Sequence, residues 1–470
     1  MSFYKNLLLS LPEVKSPLKK GTLKSRMKWT LWILVLYLFL ATIPLFGVDI
    51  TQASYFQQME LLLGAKIGKL LTLGIGPIVT SSIVLQLLKG SGILKLDTST
   101  EEGKFFYSGT HKLLTFAFII LEAIVFVAFG AVTPQAQDLF WIVSLQLALG
   151  GFIVFYMDEV VKKWGIGSGV SLFIAGGIGQ AVFIQILSPI NQLGKMAWPI
   201  GEDVAVGKLW AALYYLQLGD FSNLMISVLG PVGITIILFF LIVFFQSVNV
   251  EIPLSFGRVK GQSMKWPLNF FYSGVIPIIL VSTLRANFQL LATVIQQRTG
   301  DSGFFAFFSK SIIGQVSENG NPISGFVQWI NPVSLWENLG NFHTLEVWPY
   351  MFSYTIFMVI GATVFSYFWV QTAGMDSRSQ AKQIINSGLQ IPGFRKDERI
   401  IQRVLDRYIV PLTIMGGIGI GLLASTADIL SALTSGTGIL LLVMIIYQFY
   451  QQLTRESMED FSLLRRFMKK

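Results

Sequence analysis

Apolar residues in this chain arrive in long runs. Ten of them, at 29–46, 67–88, 113–132, 139–157, 170–187, 224–245, 270–291, 347–370, 408–423 and 439–453, read as helices that cross the roughly 30 Å of bilayer hydrocarbon. The first has the length of a span, basic residues in front and no small-residue cleavage site behind, so it is expected to be a membrane helix and not a cleaved leader. The second is irregular. It follows a short amphipathic helix at 53–63, too polar to cross, and a break at 64–68, and it carries Gly74, Gly76, Pro77, Thr80, Ser81, Ser82 and Gln86. Interrupted or polar backbone at membrane depth survives only where it lines a cavity or is covered by protein, because lipid cannot satisfy the freed N–H and C=O groups. The seventh run is irregular too, with Pro277, Arg285 and Asn287 inside it.

Composition agrees with the pattern. At 53% hydrophobic and 13% charged residues, with a mean hydropathy of +0.62, the 470-residue chain is expected to be an all-α, polytopic membrane protein. Its net charge of +9 is unevenly placed. With the N-terminus inside, 28 of the 35 Lys and Arg residues fall on the cytoplasmic side, in the segment up to Lys28, around Lys89 to Lys112, at Lys162 and Lys163, in the two long loops and in the tail from Arg455. Lys66, Lys69, Lys195, Lys208, Arg298 and Lys310 remain outside, and Arg285 lies within a span. That asymmetry puts both termini in the cytoplasm. The loops at 249–269 and 372–407, the first opening with a short extended piece at 249–255, carry ten basic residues on turns built with Gly257, Gly261, Gly388, Pro392 and Gly393. Such a display suits a polyanion such as ribosomal RNA, although topology and anionic lipid also gather cations on this face.

The chain has no Cys and only His111 and His343, on opposite sides of the membrane, and it lacks a P-loop pattern. No disulfide, metal cluster, Ser/His/Asp arrangement or nucleotide site follows from it, so neither an enzyme nor a cofactor is expected. If the chain moves a substrate, another machine or an ion gradient supplies the work. Ten spans divide into five and five, which inverts the second half: residues 1–190, an external connection at 191–222, and 223–470. The irregular second span of each half points to a central pathway between the halves. A secondary transporter of a small solute and a protein-conducting pore fit that pattern equally well.

More specific are six blocks: LGIGPIVTSSIVLQLL at 73–88, GIGSGVSLFIAGG at 165–177, VEIPLSFGRVKG at 250–261, GVIPIIL at 274–280, IPGFRK at 391–396 and GGIGIGLLA at 416–424. Together, and over essentially the whole length, they resemble the SecY protein translocase family in its archaeal form, similar to the eukaryotic alpha subunit. The resemblance implies two five-span halves clamped around an hourglass pore that passes unfolded secretory polypeptides. It carries a constriction ring onto Ile75, Val79, Val170, Ile174, Ile279 and Leu441. A collar of aliphatic side chains dewets when empty, which blocks ions without gripping a passing chain. It carries a plug onto Gln57, Gln58, Met59, Glu60, Leu61, Leu62, Leu63 and Gly64; without the resemblance, that segment reads as a helix lying on the outer leaflet. A lateral gate that releases signal and transmembrane segments into lipid falls on Thr80, Glu122 and Asn287. Arg285 departs from the family pattern. It lies at a depth similar to that of Glu122, and an unpaired charge there costs about 3 kcal/mol or more, so an Arg285–Glu122 pair across the closed gate is expected. Contacts for a ribosome are implied at Arg258, Lys260, Arg395 and Lys396. The implied partners are small SecE (gamma) and SecG or beta-type membrane subunits, the ribosome, signal sequences, nascent chains and membrane lipids, with no DNA, in the plasma membrane.

Overall fold

The computed structural model describes residues 6, 8–18, 21–48, 68–90, 93–94, 100–128, 132–191, 195–197, 204–256, 263–299, 314–315, 317, 322–335, 347–387, 389–390 and 397–467. Within them the chain is overwhelmingly helical: α1 Leu23–Leu40, α2 Gly76–Gly90, α3 Glu101–Ala128, α4 Phe140–Trp164, α5 Gly169–Leu187, α6 Lys208–Leu218, α7 Phe221–Ser247, α8 Ile276–Thr299, α9 Val347–Thr372, α10 Ser377–Asn386, α11 Glu398–Ile429 and α12 Gly436–Phe467. Among the described residues, seven helices are long and apolar enough to cross a membrane: α3, α4, α5, α7, α9 with its continuation into α10, α11 and α12. The other three expected spans correspond to α1, α2 and α8. Lys24, Arg26 and Lys28 open α1, α2 is only 15 residues long, and α8 carries Arg285 and several amides.

Helix ends follow local chemistry. Thr22 caps α1 by accepting the Ser25 N–H, so this helix begins six residues before its apolar run. The helices α3, α11 and α12 likewise extend past their apolar stretches into charged sequence. The lead-ins to α2 and α8 are alike. Gly74 (φ 51°) and Gly274 (φ 69°) both adopt the left-handed conformation, which glycine enters without steric cost. The Gly74 N–H donates to Leu71 O, and the Gly274 N–H donates to Phe271 O, each at 3.0 Å. Two residues later each helix starts, with Pro77 or Pro277 in its first turn, where no N–H is needed.

A large apolar core runs through α1 to α5, α7 to α9, α11 and α12. Helices α9 and α11 make the most extensive pairing, and α8 packs on α9. Between the first five helices and the rest, α2 touches α8 and α9 on one side, while α12 touches α5 and α1 on the other. A second core holds the two long loops together. Strands β1 Asn249–Phe256, β2 Ser263–Asn269 and β3 Leu389–Gln390 form an antiparallel sheet in the order β2-β1-β3, with Ile252 opposite Trp266 and Ser255 opposite both Ser263 and Gln390. Ile252, Leu254 and Leu268 from the sheet pack with Ala381 and Ile384 of α10 and with Ile401, Leu405 and Ile409 of α11. The extended piece expected at 249–255 is therefore one strand of a sheet, and α10, β3 and the start of α11 pack against it around a shared core.

Candidate functional site: a closed collar and the seam beside it

Ile75 ends the turn that leads into α2, Val79 lies one turn into that helix, Val170 and Ile174 stand on the first turns of α5, Ile279 on the first turn of α8, and Leu441 on α12. Ile75 and Ile174 are fully withdrawn from solvent, Leu441, Val79 and Ile279 are buried, and Val170 is half-buried against the same cluster. Their helices touch in sequence, α5 to α12, α12 to α8 and α8 to α2. Six branched aliphatic side chains from four helices thus belong to one continuous dry core, with no polar atom of their own to hold water or an ion.

Two buried carboxylates set the helices that carry them. Asp158 of α4 accepts the Val170 N–H at 3.0 Å, at the start of α5, and pairs with Lys162 at 2.6 Å. Asp428 of α11 accepts the Thr437 N–H at 2.8 Å at the start of α12, and also bonds the Thr437 hydroxyl. Sequence reasoning passed over both, because each falls just after the expected end of its apolar run, at 157 and 423.

The seam between α2 and α9 is shut. On its outer surface Val84, Leu87, Leu88, Ile93 and Phe368 line an open apolar notch of about 420 Å³. Behind it, α2 and α3 are tied by hydroxyl groups: Ser82 Oγ lies 2.7 Å from His111 Nε2, and Ser81 Oγ lies 2.7 Å from Thr115 Oγ1. His111 is thus a packing link. Glu122 of α3 has Thr80 of α2 as its polar neighbour, and the Thr80 Oγ1 is buried without a hydrogen bond of ordinary geometry. Asn287 is half-buried on α8.

The expected Arg285–Glu122 pair is not formed. Arg285 Nη1 donates to the Tyr354 hydroxyl of α9 at 3.3 Å, and its guanidinium lies 5.7 Å from the Tyr354 ring centre. Tyr354 in turn donates to Asp428. The charge is held by α9 and α11, away from α3. Depth along two helices was the only ground for the expected pair, and depth does not say which way a side chain faces.

A profile of the SecY family matches residues 69–450. The chain belongs to the SecY family. The protein translocase subunit SecY of Methanothermobacter thermautotrophicus is 39% identical over 472 residues, covering 99% of this chain and 98% of that one. Among solved structures, a SecY protein whose plug domain stabilises the closed translocation channel and maintains a membrane seal superposes with a TM-score of 0.79 at 37% identity, over 96% of each chain. Sec61 of a canine ribosome-channel complex from the endoplasmic reticulum does so with a TM-score of 0.74 at 35% identity, over 96% of each chain. This SecY-family chain is a pore-forming subunit of a protein translocase and a multi-pass membrane protein, and its relatives are channel subunits, not enzymes.

Several residues expected from the family pattern lie outside the described residues: the plug segment Gln57, Gln58, Met59, Glu60, Leu61, Leu62, Leu63 and Gly64, and the basic residues Arg258, Lys260, Arg395 and Lys396. The strands that flank the basic segments are described. Ser255 pairs with both Ser263 and Gln390, so the strands that flank the two basic segments belong to one sheet.

Proposed function

We propose that this chain works as ten spans in two inverted halves, 1–190 and 223–470, joined by 191–222, and that unfolded polypeptide crosses between them through the collar of Ile75, Val79, Val170, Ile174, Ile279 and Leu441. The burial of these six side chains in one dry cluster carries the reading. A waist of this kind is ion-tight at rest because an empty apolar constriction dewets, and it offers a translocating chain no fixed hydrogen bonds. The plug at 53–64 adds a seal on the outer side. Signal and transmembrane segments leave through the seam that α2 and α3 make with α8 and α9, past Thr80, Glu122, Asn287 and the apolar notch.

Arg258, Lys260, Arg395 and Lys396 contact the ribosome, a role supported by the pairing of their flanking strands in one sheet and by the ribosome-bound state of the canine Sec61 relative. The chain sits in the plasma membrane with both termini cytoplasmic, beside small SecE-type and SecG- or beta-type subunits. Planar-bilayer recording tests the core of the reading. Replacing the six collar side chains with Ser or Asn should turn a silent resting channel into one with steady ion conductance. If the substituted channel stays ion-tight and exports normally, the collar is elsewhere.

A further inference from the structure

Two of the four collar helices, α5 and α12, begin the same way and are anchored differently. A carboxylate that accepts first-turn N–H groups complements the helix dipole and fixes where that turn sits. Asp158 does this for α5, where Val170 is itself the donor, and Asp428 does it for α12, where Leu441 lies one turn beyond Thr437. The charge on Asp158 is met by Lys162 of its own helix, whose side chain is half exposed. Among the described residues Asp428 has no such ion pair. It accepts from Tyr354 on α9, whose hydroxyl accepts from Arg285 on α8. Arg285, Tyr354, Asp428 and Thr437 are all buried, none more than 7% exposed. One chain of bonds therefore runs from the helix that bears Ile279 and Asn287, through α9 and α11, to the first turn of the helix that bears Leu441.

We infer that Arg285, Tyr354 and Asp428 are positioning residues that transmit movement of α8 to the collar; the inference rests on the collar and seam proposed above. Breaking any link strands a buried charge, so the chain of bonds moves as a unit. A signal segment that displaces α8 at the seam then shifts the base on which α12 stands, and the waist widens with the same motion. With the link cut, the seam can still part and release an apolar segment sideways, while the collar no longer follows.

The test uses the channel reconstituted with the small subunits that copurify with it, and two substrates: a secretory precursor that must pass the collar, and a membrane protein with a short translocated tail that needs the seam. Tyr354→Phe keeps the ring and removes the linking hydroxyl. Precursor export should fall about fivefold, the equilibrium weight of one hydrogen bond, with insertion unchanged. Thr437→Ser keeps both donors and should export like the parent, and adding Arg285→Met to Tyr354→Phe should cost export nothing more. Equal loss of export and insertion, or full export by Tyr354→Phe, overturns the link. Leu441→Ser separates the two readings: if that channel stays ion-tight, the collar assignment fails and the link with it. If Leu441→Ser leaks while Tyr354→Phe exports normally, the link alone is wrong.

Discussion

Arg285 shows how a single buried charge is accommodated. A guanidinium at this depth is costly unless it is held, and Tyr354 supplies both an oxygen and a ring face, with Asp428 one bond further on. Arg285→Glu would set a carboxylate toward that same hydroxyl and carboxylate, so a loss of several kcal/mol is expected. Glu122→Arg should not repair it, since Glu122 is not its partner: the double reversal should unfold in detergent at the temperature of Arg285→Glu or below. A double variant restored toward the parent would revive the cross-seam pair. The sequence marked Arg285 as a charge in need of company but could not choose the company. Tyr354 sits in an apolar run as an unremarkable aromatic, and Asp428 falls after the expected end of its span, where an acidic residue draws no notice. The proposed collar came from the family resemblance, because each of its aliphatic residues taken singly reads as plain helix packing.

At the scale of elements, close backbone approach explains what hydrophobic pattern alone leaves obscure. The glycines of α11 weaken its helix signal, yet they form its contact with α9. A Cβ on Gly417 would lie 2.8 Å from the Thr363 Cα, and one on Gly421 2.6 Å from the Val359 Cα. This is the small-residue packing that lets membrane helices meet. Gly417→Val or Gly421→Val should therefore push α9 from α11 at a cost of about 2 kcal/mol or more, read as a lower unfolding temperature, while Gly177→Ala and Gly233→Ala, which meet nothing within 4 Å, should leave it unchanged. The matching lead-ins at Gly74 and Gly274 were likewise present in the sequence, spaced alike from Pro77 and Pro277, but only their shared turn makes the repeat apparent. The arm before α1 was read simply as basic. Its backbone docks on the C-terminal end of α4: the Val14 N–H donates to Glu159, Lys163 donates to Val14 O at 2.7 Å, and Trp164 Nε1 donates to Lys15 O at 2.9 Å. The hydrogen bond from Lys163 holds the Glu13 carboxyl below the usual carboxylate range. A depressed native value means the stabilisation is present above the ordinary value near 4.3 and is lost as pH falls through the native one. Protease cleavage in this arm should thus be slow and constant from pH 7 to 5 and rise below about pH 4, and Glu13→Gln should abolish that pH dependence. A Glu13→Gln arm with the same acid response would assign it to another carboxylate.

Across the whole molecule, the contacts between the first five helices and the rest are unequal in kind. On one side α12 meets α5 and α1, with the Arg26–Glu456 ion pair tying it to α1. On the other, α2 meets α8 and α9 beside an apolar notch that opens outward. An interface lined by Val84, Leu87, Leu88 and Phe368 loses little when an apolar segment replaces one wall with another of the same character, because lipid and signal sequence are both hydrocarbon to it. The ion pair and the capped helix starts have no such substitute, so the molecule should part at the notch. The absence of cysteine from the chain permits a direct test. Val84→Cys on α2 combined with Phe368→Cys on α9, joined by a cleavable thiol cross-linker, should stop both export and membrane insertion, and cleavage of the linker should restore both. Each single Cys variant treated alike should remain active. If the joined channel still inserts membrane segments, they leave by another route, and the seam between α2 and α9 is only a packing contact.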